Sequence, residues 1–132
     1  KRNTKQTDEM IANFGKKYLH SSTGMIPFPT FTATKLLWIK QNTPEVLKNT
    51  YKFLQPRDYI YYKLTGKYIT DYSLGSRTIM LDMRSRKWNK DIMEFVGIDE
   101  SMMPDLYCSH ETPGSVTEEV ANALTLKKVY PL

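Results

Sequence analysis

Short apolar groups at i, i+1 and i+4, separated by polar stretches, run the length of the chain. They predict a series of short helices, each with a narrow core-facing stripe. Met10, Ile11 and Phe14 form the first, with Asn3 placed to cap it and Gly15 to end it in the left-handed conformation. From about His20 to Thr32 the pattern breaks; Gly24, Pro27 and Pro29 forbid a helix and predict a loop. Thr32 or Thr34 then starts a second helix. Leu36, Leu37, Trp38 and Ile39 are apolar in succession there, as expected of a helix buried on most sides. Thr43-Pro44-Glu45 restarts the chain with an N-cap, a proline at the first helical position and an acid near the positive helix end. Val46, Leu47 and Thr50 are its expected inner face, and Tyr51 to Leu54 reads as a short strand.

The stretch LQPRDYIYYKLTGKYITDYSLGSRT, residues 54–78, marks each boundary chemically. Pro56 opens a helix with Asp58 in its first turn, Ile60 and Leu64 on one face and Gly66 as its stop. Tyr68-Ile69-Thr70 reads as a strand. Asp71 caps the following turn, its carboxylate accepting free backbone N–H groups. Between Met80 and Trp88 no period holds, and the segment reads as extended or loop. Asn89 caps a helix with Ile92, Met93 and Val96 inside and Gly97 as its stop. Asp99 to Met103 forms one helical turn ended by Pro104, and Pro113-Gly114 turns the chain. Ser115-Val116 reads as a short strand, and Thr117 begins a helix bearing Val120, Ala121 and Leu124. Val129-Tyr130 reads as a further strand. No internal repeat or low-complexity tract is present.

The 132 residues fit one modest domain or a piece of a larger one. At 40% hydrophobic and 12% aromatic they can bury a core, which argues against global disorder. No apolar run approaches the roughly 18 residues of a membrane helix. The opening KRNTKQTDEM is polar, with no signal-peptide pattern, and it lacks an initiator Met, so the chain is expected to begin inside a longer sequence. The net charge of +5 is scattered; its densest group is Arg84, Arg86, Lys87 and Lys90 beside Trp88. That reads as solvated surface rather than a nucleic-acid face, which needs contiguous charge and base-reading elements. One cysteine, Cys108, excludes an internal disulfide and suits a reducing cytoplasm.

The search for chemistry returns little. The six glycines are isolated, so no phosphate-binding loop is visible. His20 and His110 lie far apart, without metal-ligand spacing. SLGS around Gly75 lacks the flanking glycines of a nucleophile elbow. Asp71 and Asp82 read as cap and turn rather than as paired catalytic carboxylates. From the residues alone the chain is a helix-rich α/β piece with no catalytic constellation.

Four blocks in order carry a resemblance to the FGGY carbohydrate kinases, from about Arg2 to Pro131. FTATKLLWIKQNTPE resembles the family's Lys-x-x-Trp helix and following Pro-Glu. LQPRDYIYYKLTG is similar to its Pro-basic-Asp-Tyr helix ending in Leu-Thr-Gly, and TDYSLGSRT to its Asp-x-Ser-x-x-Ser block. LDMRSRKWN, VGID and MMP resemble its Asp…Arg-x-Trp, Gly-Ile and Pro series. PTFTATKLLW is most similar to xylulokinases.

The resemblance implies a fold and a role. The fold is a partial N-terminal domain of the actin-like, ribonuclease H-like sugar kinase architecture, with residues 1–132 a single internal fragment. The full-length parent is implied to transfer phosphate from ATP, with Mg²⁺, to a sugar hydroxyl, D-xylulose first among candidates. The phosphate loop, the aspartate base and the C-terminal domain are implied to lie outside this chain. The fragment alone is therefore expected to be inactive, to bind neither ATP nor metal, and to self-associate; no nucleic-acid or membrane partner is expected. Arg2 matches the arginine ending the family's Trp-x-Asp-x-Arg block, and Thr30 stands where glycerol-specific members place a ligand-binding tyrosine. These two are the implied substrate contacts. Lys35 and Asp58 match motifs without an assigned role. A standalone binding or regulatory module on the same scaffold, and a kinase for gluconate or another polyol, remain open alternatives.

Overall fold

Local capping and apolar spacing place most of the helices. The computed structural model describes residues 2–126. Helices α1 (Thr4–Phe14), α2 (Lys16–Thr23), α3 (Thr32–Asn42), α4 (Pro44–Lys48) and α5 (Pro56–Thr65) come first. Strand β1 (Ile69–Asp71), helix α6 (Tyr72–Ser76) and strands β2 (Leu81–Asp82) and β3 (Lys87–Trp88) follow. Helix α7 (Lys90–Val96), a 3-10 turn at Glu100–Met102, strand β4 (Asp105–Tyr107) and helix α8 (Glu118–Ala123) complete the order.

Of the predicted side-chain caps, Asp71 and Asn89 form, whereas Asn3 and Thr43 make no capping bond; Thr117 caps as well. Asp71, Asn89 and Thr117 accept from the backbone N–H of Leu74, Ile92 and Val120 respectively. Gly66 and Gly97 end α5 and α7 in the left-handed region. Gly15 ends α1 differently, at φ 76° and ψ 143°, and the chain passes at once into α2. This second helix corrects the predicted loop, which begins only at Gly24. Its buried residues are Leu19, Ser22 and Thr23, so two polar residues occupy positions where an apolar stripe would have announced a helix.

Other corrections concern orientation. Val46 is exposed, and only Leu47 of α4 is buried. Tyr51 to Leu54 forms no strand; Phe53 N–H makes a single backbone bond to Met102 O at 2.7 Å. Thr43 holds the N-cap position of α4 without a capping bond from its side chain. The segment without a period becomes a hairpin, Leu81 opposite Trp88 and Asp82 opposite Lys87. The expected strand at Val129-Tyr130 lies outside the described residues.

Helix α3 is the centre of the packing, against α1, α4 and α7. Met10, Leu19, Leu36, Leu37, Met80, Leu81, Ile92, Met93 and Val96 form one core with it. Beside this core β1 pairs in parallel with β4, Ile69 opposite Asp105, while α5 and α6 pack on β1. Ile79 is fully buried at φ 60°, a conformation unfavourable for a β-branched residue by about 1–2 kcal/mol. Burial of its side chain, about 1.5–3 kcal/mol, outweighs that cost.

Candidate functional site

The site is built where the start of α1 meets the loop before α3. Asn3 occupies the N-cap position of α1, yet its side chain does not cap the helix. It is buried and reaches across the fold instead. Its Nδ2 donates to Pro29 O at 2.9 Å and to Thr34 Oγ1 at 2.8 Å. Thr34 in turn donates toward Phe31 O at 3.0 Å. The loop is closed locally by Phe31 N–H to Phe28 O and by Met25 N–H to Thr23 Oγ1. A second tie holds α1 to α3: Gln6 Nε2 donates to Gln41 Oε1 at 2.8 Å, and Gln41 Nε2 to Glu9 Oε2 at 2.6 Å.

Arg2 and Thr30 flank the Asn3–Pro29 bond, one residue from each end, and both are exposed. The Arg2 guanidinium lies 5.2 Å above the centroid of the Trp38 ring. Arg2, Asn3, Lys35, Trp38 and Ile39 line an open groove of about 410 Å³. A cation stacked on an indole, with a second cation beside it, can present hydrogen-bond donors to a polar ligand. Of Thr30 in the loop and Thr32 and Thr34 at the start of α3, only Thr30 is exposed. Thr34 is buried and committed to hydrogen bonds, and Thr32 is half-buried. The apolar run of α3 assigns Trp38 to the core, whereas the structure turns it into the groove. Its signal is positional, since Lys35 and Trp38 are three residues apart and so share a helix face.

The motif residues of the 54–78 stretch serve the scaffold. Asp58 is buried and its Oδ2 accepts from Gln55 N–H at 3.1 Å, closing the start of α5; burial pushes its pKa up. Asp71 caps α6 and pairs with Arg57 Nη1 at 2.6 Å. That Arg57 bond holds the Asp71 carboxyl down to about 2. Asp82 accepts from Ser85 N–H, Ser22 Oγ and Arg84 N–H, and is likewise lowered to about 2, chiefly by the Ser85 amide. Cys108 shares a cavity of about 190 Å³ with Arg57, Asp71 and Ser109, and its lining includes no histidine to act as a base.

The glycines of the described residues serve helix ends and close packing. Gly15, Gly24, Gly66 and Gly97 bound helices, Gly75 packs under Leu106 and Trp88, and Gly114 under Tyr61. Among the described residues no group of three His, Cys, Asp or Glu side chains could hold a metal ion. Among them, too, no helix is long and apolar enough to cross a membrane.

Comparison with known proteins decides the family. The model of the FGGY family of carbohydrate kinases, N-terminal domain, matches residues 1–132. The chain belongs to this family. A xylulose kinase of Staphylococcus xylosus is 34% identical over 123 residues, which cover 93% of this chain and 26% of that protein. Glycerol kinase 2 of Sulfolobus acidocaldarius is 37% identical over 114 residues, 82% of this chain and 23% of that protein. The crystal structure of a xyloylose kinase from Brucella ovis superposes with a TM-score of 0.89 at 33% identity, covering 97% of this chain and 26% of the other. The FGGY chain therefore spans about a quarter of the length of these relatives. Its fold is the helix-rich α/β, actin-like architecture of sugar kinase N-terminal domains that the resemblance implied.

Proposed function

We propose that this chain is one fragment of the N-terminal domain of an ATP-dependent kinase that phosphorylates a ketopentose, D-xylulose first. In this reading the phosphate loop, the base and the C-terminal domain lie outside residues 1–132, and the parent works in the cytoplasm. The fragment contributes a wall of the sugar site. Arg2 supplies charged donors, Thr30 a small hydroxyl that both donates and accepts, and Asn3 sets their spacing.

Overall identity does not choose the sugar, since a xylulose kinase and a glycerol kinase stand at 34% and 37%. The observation that carries the reading is the exposed hydroxyl of Thr30 on a loop pinned beside Arg2 by Asn3. A small hydroxyl leaves room for a longer polyol and offers it a partner. A pocket group left unpaired by the wrong sugar costs about 1–3 kcal/mol, enough to appear in substrate ratios.

The test is kcat/KM of the full-length enzyme with xylulose, ribulose, gluconate, glycerol and erythritol. Xylulose is expected to lead. A tenfold or larger lead for gluconate or glycerol overturns the sugar assignment and leaves the kinase assignment standing. Phosphorylation of none of the five overturns the kinase assignment.

A further inference from the structure

A small cavity lies between the start of α5, β1 and the β3 tryptophan. Its volume is about 30 Å³. Phe53, Trp88, Met103 and Pro104 form its apolar side, and Asp58 and Thr70 its polar side. Both polar residues are almost completely buried, at 2% and 3% exposure. Asp58 Oδ1 and Thr70 Oγ1 are each buried and each without a hydrogen-bond partner in the protein. The Thr70 hydroxyl lies beside the carboxyl and offsets part of the upward pKa shift that burial causes, yet neither atom has a hydrogen bond in the structure. Two such atoms on one cavity wall contradict the general rule that buried polar groups are satisfied.

We propose that this cavity holds one ordered water molecule that bridges Asp58 Oδ1 and Thr70 Oγ1. A site of this size exceeds the roughly 10–15 Å³ that a single water requires, and a buried water needs two to four polar partners. The carboxylate accepts one water hydrogen and the Thr70 hydroxyl donates to the water oxygen. Thr32, which also lines the cavity, carries a further hydroxyl.

The side chains cannot satisfy each other more simply without loss. Asp58 Oδ2 is held by the Gln55 amide at 3.1 Å, so turning the carboxylate toward Thr70 would open the start of α5. Arg57 Nη2 stands 3.6 Å from Asp58 Oδ1, beyond hydrogen-bond reach, because its guanidinium is drawn to Asp71 at 2.6 Å. The nearby Thr78 hydroxyl is committed to Gly75 O and Met80 N–H. The water thus joins the first turn of α5 to β1, one residue before Asp71. The inference stands independently of the sugar.

A crystal structure of the full-length protein at about 1.5 Å or better tests it. The expected result is one peak about 2.7–3.0 Å from both Asp58 Oδ1 and Thr70 Oγ1. In Thr70→Val the peak is lost and the unfolding equilibrium shifts by about tenfold toward the unfolded state, whereas Thr70→Ser retains both. A direct Asp58–Thr70 bond, an empty cavity, or a peak with five or more oxygens at about 2.3–2.6 Å, the signature of a cation, overturns the proposal. So does a Thr70→Val protein that keeps the peak. Should either variant fail to fold, the density in the unmodified protein decides.

Discussion

Asn3 Nδ2 donates to the backbone carbonyl of Pro29 at 2.9 Å, across 26 residues of sequence. This bond joins the two segments that carry Arg2 and Thr30, and it does so from a buried amide whose second bond goes to Thr34. The spacing of the proposed sugar contacts therefore depends on a residue that touches no sugar itself.

Asn3→Ala in the full-length enzyme is expected to raise KM for xylulose about tenfold, with a smaller change in kcat. It removes both donors and leaves the half-buried Pro29 carbonyl and the buried Thr34 hydroxyl without them, a loss of about 1–3 kcal/mol. Steady-state kinetics and a thermal melt check this. A lowered Tm with KM unchanged would assign Asn3 to folding alone.

Thr30→Tyr is expected to reduce kcat/KM for xylulose by tenfold or more and to narrow the ratio of xylulose to glycerol. The phenol fills the room a five-carbon substrate needs, and Thr30 is exposed, so folding should be unaffected. Competition between the two sugars, with circular dichroism as the control, measures it.

Stability in acid should follow two carboxylates. Asp71 and Asp82 are lowered from 3.8 to about 2 in the folded protein, so each stabilises it fully above about pH 4 and loses that contribution as the pH falls through about 2. Asp58 acts in the opposite sense, since burial raises its pKa and its stabilising contribution fades as the pH rises. Denaturant midpoints measured from pH 5 to pH 2 should fall, and the fall should be shallower in Asp82→Asn.

Gly97→Ala is expected to destabilise by about 1–2 kcal/mol. Gly97 has φ 84°, and a Cβ there would sit 2.8 Å from Lys40 Cδ. The displaced Lys40 would also lose its bond from Nζ to Phe95 O at 2.8 Å, which satisfies the end of α7 from α3. Lys40→Met should cost about half as much, because the aliphatic stem is kept. Urea denaturation of both variants tests the order.

Residues 1–132 expressed alone are expected to show no ATP turnover with any pentulose and to self-associate. Tyr51, Tyr59, Ile60, Ile26 and Phe28 are more than half exposed, and among the described residues β1 and β4 pair only with each other. Unpaired strand edges and apolar surface favour association. Light scattering at high concentration reads the outcome; a monodisperse monomer contradicts it.

Features carried by a few consecutive residues are legible in the sequence itself. Asp71, Asn89 and Thr117 cap because the amide each accepts from lies three residues on, and Gly66 and Gly97 stop helices by backbone freedom alone. The family is legible in the same way, since its blocks are linear motifs. Features that depend on partners far along the chain are decided by tertiary structure. The local sequence around Asn3 offers only a cap, yet the carbonyl of Pro29 takes its amide. Helix α2 escapes the apolar pattern because packing against β2 buries Ser22 and Thr23 there, so no apolar stripe marks it. The parallel pairing of Ile69 with Asp105, the strained Ile79 and the shared groove of Arg2 and Trp38 need long-range contacts to exist at all. Periodicity records only which face of an element avoids water; which distant atom meets that face is set when the whole core closes.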